Sequence, residues 1–122
     1  MKTILLIDDS KTQLLNSKYT LQHGGFQVET VSDPLQAIER IFVAQPDLII
    51  TDVNMPGKDG ITLVREIRLL PQFKTTPLLV MSTDSQKHLF EQAREAGATG
   101  WLMKPVKQED LLSTARKLLS QE

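Results

Sequence analysis

The stretch Leu48-Ile49-Ile50-Thr51-Asp52-Val53-Asn54-Met55-Pro56-Gly57-Lys58-Asp59-Gly60 decides the fold. Residues 48–50 form a short apolar run of the kind a parallel sheet buries. The run ends in the polar pair Thr51-Asp52. Pro56-Gly57 then marks a turn before residues 61–70 take up helical spacing.

Four more short apolar runs, at residues 4–7, 28–31, 78–81 and 101–103, flank this one, with longer segments between them. That alternation predicts βαβ units and a parallel sheet. The second helix has clear start signals in Ser32-Asp33 as caps and Pro34 in the first turn. Ala37, Ile38, Ile41 and Phe42 follow on one face, and Pro46 ends it. The last helix carries Leu111, Leu112, Ala115, Leu118 and Leu119 in the same way. A helix over residues 85–96 ends at Gly97, a natural left-handed cap. The first helical segment, residues 10–23, fits less well, because Leu14, Leu15, Tyr19 and Leu21 make no continuous stripe. No repeat, low-complexity stretch or linker interrupts the pattern.

A length of 122 residues suits one domain, residues 1–122, with 40% hydrophobic and 24% charged side chains. Fourteen Lys plus Arg against fifteen Asp plus Glu leave a net charge of −1, with the basic residues scattered along the chain. A bulk electrostatic grip on nucleic acid or on an acidic membrane is therefore not expected. The chain has no Cys, so thiolate chemistry and disulfides are excluded. The apolar run at residues 4–7 stops at Asp8-Asp9, too short for a signal or a membrane span, and a cytoplasmic location is expected.

Open parallel sheets bind ligands outside the carboxyl ends of their strands. Here the first strand runs into Asp8-Asp9, the third into Thr51-Asp52, the fourth into Ser82-Thr83-Asp84 and the fifth into Lys104-Pro105. Singly, each has an ordinary reading as a cap, a turn residue or a solvated charge. Together they are more specific. Three carboxylates on one rim repel unless a cation joins them, and their hard oxygens suit Mg²⁺. Lys104 adds a positive charge and Ser82 a hydroxyl, a set that matches a phosphoryl group in transfer. Asp52, ending the middle strand, is the candidate nucleophile, with Asp8 and Asp9 placed to hold the metal.

The segments Ile7-Asp8-Asp9-Ser10, Asp52 to Gly60, Met81-Ser82-Thr83-Asp84 and Gly97 to Pro105 resemble the receiver domain of two-component response regulators, nearest in kind to stand-alone chemotaxis regulators of the CheY type. The resemblance covers nearly the whole chain. It implies a doubly wound α/β fold, a five-stranded parallel sheet in the order 2-1-3-4-5 with five helices, and phosphoryl transfer from a histidine kinase to Asp52. It implies Mg²⁺ held by Asp8, Asp9, Asp52 and the backbone carbonyl of Asn54, with Lys104 on the phosphoryl oxygens and a cis Lys104-Pro105 bond. Ser82 and Trp101 stand at the switch positions, which bias the face of the fourth helix, fifth strand and fifth helix toward an output target such as a flagellar motor switch or another motility component. Asn54 and Asp84 resemble positions that tune the acyl-phosphate lifetime; both are small and polar, so a short lifetime is expected.

Two alternatives compete. A small Mg²⁺-dependent aspartyl phosphatase needs a second acid two residues after its nucleophile, where this chain has Asn54, and a substrate pocket for which the chain has little room. A receiver excised from a larger regulator would carry the same motifs. His23 and His88 lie away from the strand ends and are expected at the surface. Phe26, Phe42, Phe73 and Phe90 are expected in the core or in helix packing. Helix one departs from the family, with Gln13, Asn16, Ser17 and Gly24 where relatives carry apolar core residues. Leu14, Leu15 and Tyr19 are then expected on the outer face, available for weak self-association.

Overall fold

The computed structural model describes residues 1–83 and 87–120. Five parallel strands, β1 (Thr3–Ile7), β2 (Gln27–Val31), β3 (Leu48–Asp52), β4 (Leu78–Ser82) and β5 (Gly100–Met103), form one sheet in the order β2-β1-β3-β4-β5. Five helices alternate with them: α1 (Lys11–His23), α2 (Ala37–Ala44), α3 (Gly60–Arg68), α4 (Lys87–Ala96) and α5 (Gln108–Leu119). Every residue of β3 and β4 is buried, so the middle of the sheet is covered on both faces. Alternation along the strands divides the core in two. Leu5, Ile7, Ile49, Leu78 and Val80 pack with α2, α3 and Ala93 of α4, while Ile4, Leu6, Leu48, Ile50 and Leu79 pack with α1 and α5.

Local chemistry sets the helix starts. Ser10 caps α1, its hydroxyl accepting from the Gln13 N–H at 3.3 Å, and Asp59 caps α3 through the Thr62 N–H at 2.8 Å. Asp33 caps a short 3-10 turn, Pro34–Gln36, which leads into α2. Gly97 turns α4 into β5 with φ +116°, a conformation that favours glycine. The start expected for α4 at Ser85 lies outside the described residues.

Helix α1 corrects one expectation. Leu14 is buried rather than outward-facing, and only Leu15 and Tyr19 are exposed, at 67% and 62%. Consecutive helical residues are about 100° apart, so Leu14 can join Leu21, seven residues on, under the sheet while Leu15 faces out. Thr20 fills the same face, its hydroxyl donating to the Asn16 carbonyl at 3.1 Å. Gln13 and Asn16 are exposed and pay no burial penalty. The surface for self-association therefore loses Leu14, and its remaining pair is a small patch of an ordinary kind.

The phenylalanines divide. Phe73 is buried and Phe26 partly so. Phe42 and Phe90 are 42% and 45% exposed and so lie outside the core, each packing its ring edge-on against an aromatic ring of a neighbouring element. His23 and His88 are both exposed, as expected.

Candidate functional site

Sheet register brings the polar strand ends together. Ile7 pairs with Thr51, Asp52 with Met81 and Ser82 with Met103, so Asp8, Asp52, Ser82 and Lys104 arrive at one rim. The ladder continues past the strands. Asp8 N–H donates to the Val31 carbonyl at 3.2 Å, Val53 N–H to Met81 at 3.0 Å and Lys104 N–H to Ser82 at 2.8 Å. The sheet ladder thus ties down the backbone at Asp8, at Lys104 and directly after Asp52.

Asp8 and Asp52 are buried and Asp9 is exposed, and one carboxylate oxygen from each lies within 4.8 Å of the others. Asp52 Oδ1 accepts from the Val53 N–H at 2.9 Å, and its Oδ2 faces Lys104 Nζ at 3.1 Å. Asp8 Oδ1 accepts from the Ser10 N–H at 3.0 Å, and its Oδ2 accepts from Lys104 Nζ at 3.3 Å. Burial pushes the Asp8 carboxyl above its ordinary value; the neighbouring Asp52 charge acts in the same direction, and the Ser10 N–H and the Lys104 ammonium oppose both. One ammonium is shared between two buried carboxylates. A divalent cation is the natural complement to such a set, and the all-oxygen donors fit Mg²⁺.

Ser82 is fully buried at the tip of β4, beside this group. The Lys104-Pro105 peptide is cis. Asn54 is exposed two residues beyond Asp52, and Asp84 lies outside the described residues. Trp101 is half-buried on β5, with its ring edge-on to Phe90 of α4 at 5.7 Å between centroids and its indole N–H donating to Met103 Sδ at 3.4 Å. It belongs to the face expected to switch.

Two residues matter more than their sequence context suggests. Gln13, notable in the sequence only as a polar residue in a core position, places Oε1 2.6 Å from Lys104 Nζ. Its signal is the Ser10-x-x-Gln13 spacing. Gly60 starts α3 directly behind the site, where a Cβ would lie 2.1 Å from the Asp52 carbonyl oxygen. Glycine at that position lets the helix approach the strand end, and the Asp59 cap before it is the clue.

The response regulator receiver domain family matches residues 4–116. The transcriptional regulatory protein PdtaR of Mycobacterium tuberculosis is 33% identical over 112 residues, 91% of this chain and 53% of PdtaR. Chemotaxis protein CheY-3 of Vibrio cholerae is 32% identical over 103 residues, covering 84% of this chain and 79% of CheY-3. The solved structure of Vibrio cholerae chemotaxis protein CheY4 superposes with a TM-score of 0.93 at 38% identity, covering 98% of this chain and 99% of that one. The chain spans about half the length of PdtaR and 19% of the Arabidopsis thaliana two-component response regulator ARR21. Among the described residues no helix is long and apolar enough to cross a membrane. A family match over nearly all of the sequence, on a sheet whose strand order and superposition agree with it, makes this chain a member of the response regulator receiver domains of two-component signalling, with a CheY-like fold.

Proposed function

We propose that residues 1–122 act as one receiver unit in which Asp52 accepts a phosphoryl group from the phosphohistidine of a histidine kinase. The observation that carries this reading is the Asp52 carboxylate, buried at the tip of the central strand and within 3.1 Å of Lys104 Nζ. An oxygen of Asp52 forms the new P–O bond as the P–N bond to the kinase imidazole breaks, and the electron pair leaves with the imidazole nitrogen. Lys104 follows the charge onto the phosphoryl oxygens. Asp8, Asp9, Asp52 and the carbonyl of Asn54 would hold Mg²⁺, which when bound neutralises charge on the transferring group.

Buried Ser82 and half-buried Trp101 support a switch that biases the surface of α4, β5 and α5. Phe90 and Met103, 45% and 41% exposed, give that surface an apolar component for an output partner. The chemotaxis relatives favour a motility target such as a flagellar motor switch and a kinase of the chemotaxis type. Catalysis is limited to the domain's own phosphorylation and dephosphorylation. PdtaR favours a second reading, in which the same domain serves a transcriptional regulator.

Acetyl phosphate with Mg²⁺ should add one phosphoryl group by mass, and Asp52→Asn or a chelator should remove the adduct. Labelling of Asp52→Asn at the wild-type level would overturn the assignment. Affinity capture with a beryllofluoride-treated domain then separates the outputs, retaining a motility component on one reading and a transcription partner on the other.

A further inference from the structure

Lys104 Nζ sits among three acceptors: Asp8 Oδ2 at 3.3 Å, Asp52 Oδ2 at 3.1 Å and Gln13 Oε1 at 2.6 Å. An ammonium has three N–H donors; two hydrogen-bond to Asp8 and Gln13, and Asp52 is held as an ion pair. The shortest contact is to the only neutral acceptor of the three.

How Gln13 comes to be there follows from the start of α1. Ser10-x-x-Gln13 is the spacing of a capping box, in which the Ser hydroxyl takes the N–H of the third helical residue and the Gln side chain turns back to the cap N–H. The first half is present, since Ser10 Oγ accepts from the Gln13 N–H at 3.3 Å. The second half has been replaced, because the Ser10 N–H donates to Asp8 Oδ1 at 3.0 Å. The Gln13 amide is thereby released from the helix start and reaches a residue 91 positions away. On the same side Lys104 borders an open cleft of about 260 Å³, lined also by Asn16, Ser17, Val106 and Leu111.

The three acceptors have different fates in the reaction proposed above. Asp52 would become an acyl phosphate, and Asp8 would help to hold Mg²⁺. Gln13 does not change.

We propose that Gln13 is a positioning residue for Lys104: its amide oxygen retains one N–H of the ammonium and aims the other two at the phosphoryl oxygens while the Asp52 carboxylate is being consumed. The inference rests on the phosphoacceptor reading of Asp52. A neutral acceptor suits the task, because it orients the ammonium without neutralising it.

Phosphoramidate tests the idea without a kinase. An Asp52 oxygen bonds to phosphorus as the P–N bond breaks, and the nitrogen leaves with the electron pair as ammonia. Gln13→Met removes the acceptor and preserves length and helix propensity, and the Ser10 cap bond is untouched because it uses the backbone N–H of residue 13. With Mg²⁺ present, Gln13→Met should lower the saturating phosphorylation rate constant about five- to tenfold and leave the half-saturating phosphoramidate concentration unchanged. In a Lys104→Met background the same substitution should produce no further loss. An unchanged rate constant, a change confined to half-saturation, or an equal loss in both backgrounds overturns the positioning role while Asp52 labelling stands. A wild-type protein that takes no phosphoryl group overturns the phosphoacceptor reading, and this inference with it.

Discussion

Asp8 is a buried carboxyl whose proton is held above the ordinary carboxylate range, chiefly by desolvation. The sign of the resulting pH dependence follows from linkage. Between the ordinary value and the raised one, the native state binds more protons at Asp8 than the unfolded chain does, so this residue's contribution to stability falls as pH rises through that window. In the presence of a chelator, urea unfolding of the wild type should show this component, and Asp8→Asn should remove it. A slope unchanged by the substitution would assign the pH dependence to other groups. The acidic cluster itself is legible in the sequence, because Asp8, Asp9 and Asp52 each follow an apolar run and so fall on one rim of a parallel sheet. The sharing of one ammonium among Asp8, Asp52 and Gln13 is not legible, since it joins residues 13 and 104 across the fold and no local pattern encodes such a contact.

Helix α4 and strand β5 are fastened at the end of the sheet opposite the site. Arg68, the last residue of α3, donates from Nε to the Gly97 carbonyl at 2.9 Å and from Nη1 to the carbonyls of Phe73 and Thr76 at 2.8 and 2.7 Å. Thr99 completes the knot, its Oγ1 accepting from the Leu78 N–H at 3.0 Å. Burial lowers the Arg68 pKa from its ordinary value, yet guanidinium stays charged in proteins, so the knot should persist across the accessible pH range. Arg68→Met should destabilise the domain by about 2–3 kcal/mol, because it leaves several partly buried carbonyls unsatisfied. Arg68→Lys should rescue only part of this, lacking the planar fork. Equal unfolding midpoints for wild type and Arg68→Met would remove the knot from the account of stability. At this scale the sequence is uneven. The 3-10 turn leading into α2, the start of α3 and the end of α4 are marked by Asp, Pro and Gly, whereas the facing of α1 is hidden because polar Ser17 and Thr20 share its buried side with Leu14 and Leu21. Arg68 reads in the sequence as one more surface charge on a helix.

For the molecule as a whole, the five apolar runs and their polar ends suffice to predict a parallel sheet with its site on one rim. The strand order comes from family resemblance, because apolar runs do not say which of them are neighbours. That order places β1 between β2 and β3, so the first 52 residues already contain three adjacent strands. Each of β1, β3 and β4 has a neighbour on both sides, while β5 pairs only with β4 and has no fully buried residue. A chain built this way has a preferred order of assembly: contacts among the first three strands close over short crossovers and bury side chains in both halves of the core, whereas β5 adds to an existing edge. Ile49→Val should therefore slow refolding, while Leu102→Ala should leave refolding nearly unchanged and speed unfolding. Stopped-flow chevrons of the two variants would read this directly, and the reverse pattern would locate the folding nucleus in the later half of the chain. The strand that carries Asp8 would then be among the earliest parts of the protein to commit, with the switch-side edge added last and released first.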